Sequence, residues 1–239
     1  MKSFKTVTNI YTGEETDSNI VNAKEIEIIK RLVTKQDVVL DIGANIGFMT
    51  IQLAQQAKHV YAFEPSPDNF KKLEENTKDL DNVTNYQIAV SNRVGHSPLY
   101  ICPFDNGMNR LYYSKWCEGG NIFMVPTTTI DTIFPYVFMN DNKFKFVKLD
   151  VEGLELKVLQ GMSYTLAHTH PTILMEFHPP SIEEAGDNPE DIYDFLKYEL
   201  GYGKPINCNT NDTIQSYEQL DADTRDTPAV NILWQYTIH

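Results

Sequence analysis

The chain has few cysteines and no long apolar run. Cys102, Cys117 and Cys208 are widely spaced and form no Cys-x-x-Cys pair, which is typical of buried or idle thiols in a reducing cytoplasm. No stretch approaches the ~18 apolar residues that a membrane-spanning helix needs. Residues 1–13 also lack the apolar core of a signal peptide. We therefore expect a cytoplasmic protein that does not act at a membrane.

Positive charge is scarce as well. The 239 residues include 20 Lys and Arg against 33 Asp and Glu, a formal net charge of −13. This balance argues against DNA, RNA or an anionic membrane as a partner, because binding to polyanions depends on basic side chains. With 41% hydrophobic residues and no repeats, the chain suits one domain over residues 1–239. Within it we expect an N-terminal arm over residues 1–19 and a β-rich insertion over residues 91–134.

The segment Val38–Thr50, VVLDIGANIGFMT, carries the strongest signal that is present. An apolar run ends in Asp41, a glycine turn follows, and helical spacing begins at once. This is the strand–turn–helix unit that opens a nucleotide-type site in an open α/β sheet. Gly43 and Gly47 lack a Cβ and let the backbone bend sharply and a ligand approach. Asn45, between them, tolerates a left-handed conformation.

A second apolar strand, Val60–Pro65, ends in an acidic residue. Glu64 lies 21 positions after Gly43 (64 − 43), close to the ~20-residue offset at which an acid meets a ribose diol. The turn reads Gly-x-Asn-x-Gly rather than the Gly-x-Gly-x-x-Gly of dinucleotide sites. The carboxylate of Asp41 before it would repel a pyrophosphate but suits a cation. The pattern therefore favours S-adenosyl-L-methionine over NAD.

The remaining pattern alternates strands with amphipathic helices. It predicts an α/β fold with a mostly parallel, Rossmann-like sheet, helices on both faces and an antiparallel C-terminal pair formed by Lys204–Cys208 and Val230–Ile238. The five parallel strands are predicted at Val38–Ile42, His59–Phe63, Tyr86–Val90, Phe144–Leu149 and Thr172–Phe177.

The insertion interrupts this alternation. Gly95–Ile101 and Ile122–Pro126 are predicted as short strands, and the long connection over residues 105–120 is typical of a lid or binding loop. We expect a mobile cover over an acceptor pocket. The aromatic side chains expected to pack on the acceptor are Tyr112, Tyr113 and Trp116.

Six blocks of the chain resemble the FkbM-type methyltransferases, in the family's order and over roughly residues 24–180. The most specific is DVEGLE, Asp150–Glu155. The resemblance implies a class I methyltransferase fold with seven strands. It also implies methyl transfer from S-adenosylmethionine, usually to a hydroxyl of a sugar or natural product. The blocks are VVLDIGANIGFMT, VYAFEPSPDNFKKLEEN, NYQIAVSN, TTTIDTI, FVKLDVEGLELKVLQGM and PTILMEFHP.

The cofactor should lie beyond the carboxyl ends of the strands. Asp41 and the glycine turn are expected to hold its methionyl part, Glu64 its ribose, and Ile88 and Ala89 its adenine, with Asn85 a weaker candidate. The acidic strand ends expected to converge are Asp41, Glu64, Asp150 and Glu176. The predicted cofactor-binding residues are Asp41, Gly43, Ala44, Asn45, Gly47, Glu64, Pro65, Ile88, Ala89 and Asp150.

A neutral hydroxyl gains from a general base as the new bond forms. The catalytic candidates are Asp150, Glu152 and His178, and the histidine titrates closest to neutrality. We predict no metal ligands. The alternative is a Mg²⁺ ion held by these three residues and Glu176, which would lower the acceptor's pKa. The pair His168 and His170 is expected at the surface.

The expected partner is a small-molecule or glycan acceptor. Methyltransferases acting on nucleobase amines usually carry Asn/Asp-Pro-Pro-aromatic after the fourth strand, whereas this chain has LDVEG there. Two other functions stay open: N-methylation of a small molecule or peptide side chain, and a non-catalytic cofactor-binding subunit of a biosynthetic complex.

Overall fold

A computed structural model describes residues 7–8, 15–16, 23–137, 144–227 and 229–237. Two short strands, β1 (Val7–Thr8) and β2 (Glu15–Thr16), pair antiparallel. The rest of the predicted N-terminal arm lies outside the described residues.

The centre of the protein is a seven-stranded sheet. Its order is β5–β4–β3–β9–β10–β12–β11. The first five strands in this order are parallel to one another, and β12 is antiparallel to both of its neighbours. The predicted mostly parallel sheet is confirmed. The strands are β3 (Val38–Ile42), β4 (His59–Phe63), β5 (Val83–Tyr86), β9 (Phe144–Leu149), β10 (Thr172–Phe177), β11 (Ile206–Asn207) and β12 (Val230–Trp234).

Helices cover both faces of this sheet because alternate strand residues are apolar on each side. Val39 packs with Ile29 of α1 on one face, whereas Leu40 packs with Leu159 of α5 on the other. The helices are α1 (Ala23–Leu32), α2 (Phe48–Ala54), α3 (Pro67–Thr77), α4 (Ile130–Val137), α5 (Glu155–Gln160), α6 (Ser163–Thr169), α7 (Pro179–Glu184), α8 (Pro189–Asp194) and α9 (Tyr217–Thr224). A π-helical turn, Phe195–Glu199, continues α8.

Four of the five predicted parallel strands match the structure, and the third is wrong. The chain leaves the central sheet after Tyr86, and the apolar pair Ala89–Val90 (β6) joins a separate three-stranded sheet. That sheet also contains β7 (Gly95–Tyr100) and β8 (Ile122–Thr128), the two short strands predicted for the insertion, and these pair antiparallel. The apolar run was read correctly as buried, but it is buried against β8 rather than against β4.

The predicted C-terminal pairing is also confirmed. Ile206 pairs with Leu233 and Asn207 with Ile232 in antiparallel register, although α9 lies between the two strands. The strand β12 ends at Trp234, before the predicted end at Ile238, which lies outside the described residues. Among the described helices, none is long and apolar enough to cross a membrane.

Candidate active site

Two adjoining cavities open at the carboxyl edge of the parallel strands. The first, of about 230 Å³, is bordered by the ends of β3, β4 and β9, and we call it the cofactor cavity. The second, of about 780 Å³, lies between the 105–120 segment and α7, and we call it the acceptor cavity. Glu152 and Glu176 border both cavities, so the two spaces meet at these carboxylates.

The glycine turn after β3 forms one wall of the cofactor cavity. Gly43 and Gly47 have φ of +86° and +90°, and Asn45 has φ of +49°, as the sequence predicted for a left-handed residue. The backbone N–H groups of Gly43 and Ala44 both donate to the carbonyl oxygen of Phe63, 3.0 Å away in each case. These bonds tie the turn to the end of β4.

The two glycines serve packing as well as the bend. A Cβ on Gly43 would overlap the carbonyl oxygen of Asp150 at the end of β9. A Cβ on Gly47 would lie 2.8 Å from the side chain of Leu73 in α3. The sequence predicted a sharp bend and close approach of a ligand at these glycines, but protein atoms occupy the space where each Cβ would lie. Gly43 borders the cofactor cavity, and Gly47 does not.

Asp41 lies behind the cavity rather than in its wall. Its side chain is 1% exposed and accepts a 2.6 Å hydrogen bond from the Thr50 hydroxyl. Burial raises its pKa to about 6, although the bond from Thr50 opposes the rise. The structure thus differs from the prediction that Asp41 and Ala44 contact the ligand directly, since neither borders the cavity. Asp41 instead fixes α2 against β3.

Glu64 borders the cofactor cavity as predicted. Its Oε2 accepts from the backbone N–H of Asn45 at 2.9 Å, and its Oε1 accepts from that of Ser66 at 2.8 Å. Each carboxylate oxygen can accept a further bond. Burial raises the pKa of Glu64 to about 7. The side chain is therefore held rigidly, with acceptor capacity left for a pair of hydroxyl groups.

The apolar wall of the cofactor cavity contains Ile88 and Ala89, with Pro65 close to Glu64. These three were predicted as cofactor contacts. The weaker candidate Asn85 lies outside this cavity and donates a 2.8 Å bond to the Thr77 hydroxyl of α3. It therefore braces α3 against β5.

Three carboxylates meet where the two cavities join. One oxygen each of Asp150, Glu152 and Glu176 lies within 4.8 Å of the others. The Lys148 ammonium, which is almost fully buried, donates to Asp150 Oδ2 at 3.0 Å. Burial raises the pKa of Glu152 to about 8 and, with the charge of Asp150, that of Glu176 well above its usual value. The sequence analysis named these three carboxylates as possible ligands of one ion, but it did not identify Lys148 as a site residue.

The DVEGLE segment owes its shape to two features that the sequence analysis did not assign. Glu152 and Gly153 have φ of +56° and +103°, so the chain turns sharply before α5. Glu155 Oε1 accepts the backbone N–H groups of Val151 and Gly153, both at 3.2 Å. Burial raises the pKa of Glu155 to about 7. The third acid of this motif, Glu155, thus holds the loop that carries Glu152.

His178 borders the acceptor cavity and occupies the N-cap position of α7. Its Nδ1 lies 2.7 Å from the Ser181 hydroxyl. Burial lowers its pKa, and the nearby Arg110 lowers it further. It does not belong to the carboxylate group at the junction. The three catalytic candidates are therefore divided: Asp150 borders the cofactor cavity, His178 the acceptor cavity, and Glu152 both.

The 105–120 segment forms the outer wall of both cavities. Tyr112 donates to the carbonyl oxygens of Glu152 at 2.9 Å and Ser181 at 3.1 Å, so it anchors the segment. Trp116 is half exposed and borders the acceptor cavity, whereas Tyr113 packs edge-on against Tyr100. Of the three aromatic candidates, Trp116 alone borders the acceptor cavity. That the segment moves stays a prediction.

Arg110 is the residue of this segment that sequence reasoning missed. Its guanidinium is buried and pairs with Glu184 at 2.8 Å and with Glu152 at 3.4 Å. It also donates to the Ser114 hydroxyl at 3.1 Å. Although burial opposes it, these acidic neighbours raise the pKa of Arg110. The available signal was that Arg110 is the one arginine of a segment otherwise rich in Asn, Gly and aromatic residues.

The other metal-type and thiol candidates stand apart from the site. His168 is exposed and stacks on Tyr164, and His170 stacks on Tyr236 at 3.7 Å, so neither joins a metal-like group among the described residues. The three cysteines are buried and free.

The sheet order, with acid-lined cavities beyond its strand ends, is that of the class I methyltransferase fold. The family model of the methyltransferase FkbM domain matches residues 41–203, and the chain belongs to that family. The resemblance drawn from the sequence is confirmed.

Three of the known proteins that this chain is similar to show the range of the resemblance. Hexuronic acid methyltransferase AglP of Haloferax volcanii is 30% identical over 176 residues, 72% of this chain and 66% of AglP. The 2-O-methyltransferase NoeI of Sinorhizobium fredii is 25% identical over 159 residues, 60% of this chain and 64% of NoeI. The chain thus spans just under two thirds of each. The crystal structure of methyltransferase FkbM from Methylobacillus flagellatus aligns with a TM-score of 0.51 at 17% identity, over 85% of this chain and 44% of that one.

Proposed function

We propose that this methyltransferase transfers a methyl group from S-adenosylmethionine to a hydroxyl oxygen of a saccharide or a natural product. The observation that carries the proposal is the convergence of acidic strand ends on one cavity. Glu64, Asp150, Glu152 and Glu176 border the cofactor cavity, and no basic side chain does so among its described lining residues. A pyrophosphate would lack a partner there, whereas a sulfonium and an ammonium group would find several.

The residues present fit this cofactor. Glu64 keeps acceptor capacity for the two ribose hydroxyls, and Ile88 and Ala89 offer an apolar surface for the adenine. Asn45 holds a buried side-chain oxygen without a partner, which is an acceptor for the donor groups of a ligand. When bound, S-adenosylmethionine supplies an electrophilic methyl group on a positively charged sulfur.

The acceptor cavity would supply the nucleophile. A hydroxyl beside the junction of the cavities would give its proton to Nε2 of His178, whose Nδ1 is oriented by Ser181. Lys148 keeps Asp150 paired at the junction, where the carboxylate would align the acceptor. Tyr112 and the 105–120 segment that it anchors would exclude water from the junction of the two cavities.

Two of the curated relatives together support O-methylation of a saccharide. One is a hexuronic acid methyltransferase and the other a 2-O-methyltransferase. The acidic walls of both cavities and the net charge of −13 disfavour a nucleic acid. A metal is not required by this scheme, because Lys148 already provides a positive charge at Asp150.

Calorimetry with S-adenosylhomocysteine and with NAD tests the cofactor. We expect one site for S-adenosylhomocysteine and at least about tenfold weaker binding in Glu64→Gln, because a charge-assisted hydrogen bond contributes ~1.5–3 kcal/mol. Glu74→Gln, an exposed change on α3, is the matched control. Equal affinity for NAD would contradict the proposal. Transfer of isotopically labelled methyl groups to a panel of hydroxylated glycosides then tests the reaction.

A further inference from the structure

The acceptor cavity contains far more negative than positive groups. Among its described lining residues, Arg110 is the one side chain with a permanent positive charge, and it is already paired with Glu152 and Glu184. Burial and Arg110 lower the pKa of His178, which therefore adds little positive charge at neutral pH. The acidic residues on the wall are Asp105, Glu152, Glu155, Glu176 and Glu184.

Two of these carboxylates have acceptor capacity that the protein does not use. Glu155 is 2% exposed, and its Oε2 has no hydrogen-bond partner although its Oε1 accepts two backbone N–H groups. Glu176 is partly exposed, and no side chain or backbone group of the described residues donates a hydrogen bond to it. A buried acceptor without a donor is costly and rare in folded proteins. Both residues border the cavity.

The pKa values of Glu155 and Glu176 also indicate that the cavity lacks compensating positive charge. Burial raises the pKa of Glu155 to about 7, and burial with the charge of Asp150 raises that of Glu176 well above its usual value. Carboxylates behave in this way when buried without enough positive charge nearby. A cation placed among them would lower both values and release protons.

We propose that the acceptor is an amino-bearing saccharide whose ammonium group binds to Glu155 and Glu176, beside the hydroxyl that receives the methyl group. The inference rests on the proposed function and deepens it. An ammonium group offers three N–H donors and one positive charge to acceptors that lack both. The half-exposed indole of Trp116, on the same wall, provides a flat apolar surface for the sugar ring.

This assignment separates the chain from its hexuronic acid methyltransferase relative. A carboxylated sugar would bring a like charge into an acidic cavity. It would also have to compete with Glu152 and Glu184 for Arg110, at 3.4 and 2.8 Å. We therefore expect uronic acids to be the weakest ligands.

The test uses the full chain saturated with S-adenosylhomocysteine and four methyl glycosides that share one ring: glucosaminide, N-acetylglucosaminide, glucoside and glucuronide. By calorimetry the glucosaminide should bind at least about tenfold more tightly than the N-acetyl sugar, the range of a charge-assisted hydrogen bond. The glucuronide should bind most weakly. Heats measured in buffers of different ionisation enthalpy should show proton release when the amine binds.

Variants assign the preference to the proposed residues. Glu155→Gln and Glu176→Gln should each reduce the preference for the amine to about threefold or less, whereas the exposed control Glu74→Gln should keep it. Thermal melting of each variant checks that it is folded. If Glu155→Gln unfolds, Glu176→Gln alone decides the assignment.

The outcomes distinguish this inference from the proposed function. An amine that binds no more tightly than the N-acetyl sugar, or not at all, overturns the inference. Methyl transfer to the neutral glucoside in the same experiment would leave the proposed function standing. An added divalent cation that abolishes the amine preference and tightens the glucoside would also overturn it, because the positive charge would then come from a metal. Failure to bind S-adenosylhomocysteine would contradict the proposed function itself.

Discussion

His178 and Glu152 both border the acceptor cavity, but burial shifts their pKa values in opposite directions. Burial and Arg110 lower the pKa of His178, so its imidazole is neutral and able to accept a proton at pH 7. Burial and the charge of Asp150 raise the pKa of Glu152, which favours its protonated form, although Arg110 opposes the rise. Among the three candidates, the histidine is therefore the better general base.

The first prediction at this scale is that His178→Ala lowers turnover by on the order of 10²–10⁴ while S-adenosylhomocysteine affinity stays within a few-fold. In the wild type, the acid limb of the rate profile should have its midpoint below the usual histidine value, since the neutral form is active and its pKa is lowered. Single-turnover methyl transfer and calorimetry measure the two quantities.

The exposed His168 provides the control, and His168→Ala should leave both quantities unchanged. Asp150→Asn should lower turnover as well, because Asp150 borders the cofactor cavity at its junction with the acceptor cavity. A nearly fully active His178→Ala, together with loss of wild-type turnover in EDTA, would instead support the metal-assisted alternative at Asp150, Glu152 and Glu176.

At the scale of elements, the glycine turn and the end of β9 are fitted to each other. The backbone N–H of Asp150 donates to the Ile42 carbonyl at 3.0 Å, and the Asp150 carbonyl fills the space where Gly43 lacks a Cβ. The turn that borders the cofactor cavity therefore also sets the position of Asp150. Damage to the turn should act through this contact.

We predict that Gly43→Ala destabilises the fold and weakens S-adenosylhomocysteine binding together. Gly119→Ala is the matched control, because Gly119 also has positive φ, +79°, but a Cβ there meets nothing within 4 Å. Both changes carry the ~1–3 kcal/mol cost of a strained backbone. Only Gly43→Ala adds the clash, so its thermal midpoint should be clearly lower. Equal midpoints would mean that the loop after β9 moves freely.

The sequence predicts the elements that depend on local pattern. β3, β4, β9 and β10 were found at their observed ends because each is an apolar run closed by a polar residue or a turn. The run Tyr86–Val90 was misplaced because periodicity reveals burial but not the neighbouring strand. The turn glycines and Glu64 were found for the same local reason, with their spacing as the guide.

The rest of the site depends on contacts between distant parts of the chain. Arg110 meets Glu184, 74 residues away, and no spacing rule connects them. The DVEGLE motif did not reveal the role of Glu155, because this side chain holds the backbone of the preceding loop and that contact is visible only in the structure. Lys148 was visible as a charged residue inside the apolar run of β9, which is the usual sign of a buried ion pair.

At the scale of the whole molecule, the fold buries several acidic groups with little compensating charge. Burial raises the pKa of Asp41 to about 6 and those of Glu64 and Glu155 to about 7. In the unfolded chain these groups titrate near pH 4. Between about pH 4 and 7 the folded protein therefore binds more protons than the unfolded chain.

The last prediction follows from the sign of this difference. Because the folded state holds the extra protons, these acids add fully to the free energy of unfolding below about pH 4, and this contribution is lost as the pH rises through about 6 to 7. Each buried acid contributes on the order of 3 kcal/mol to the decrease, at ~1.4 kcal/mol per pKa unit. Urea unfolding at constant ionic strength from pH 5 to 8 measures it. Glu64→Gln should flatten the dependence, whereas Glu74→Gln should follow the wild type, and stability that rises over this range would show that these acids are ionised in the folded protein.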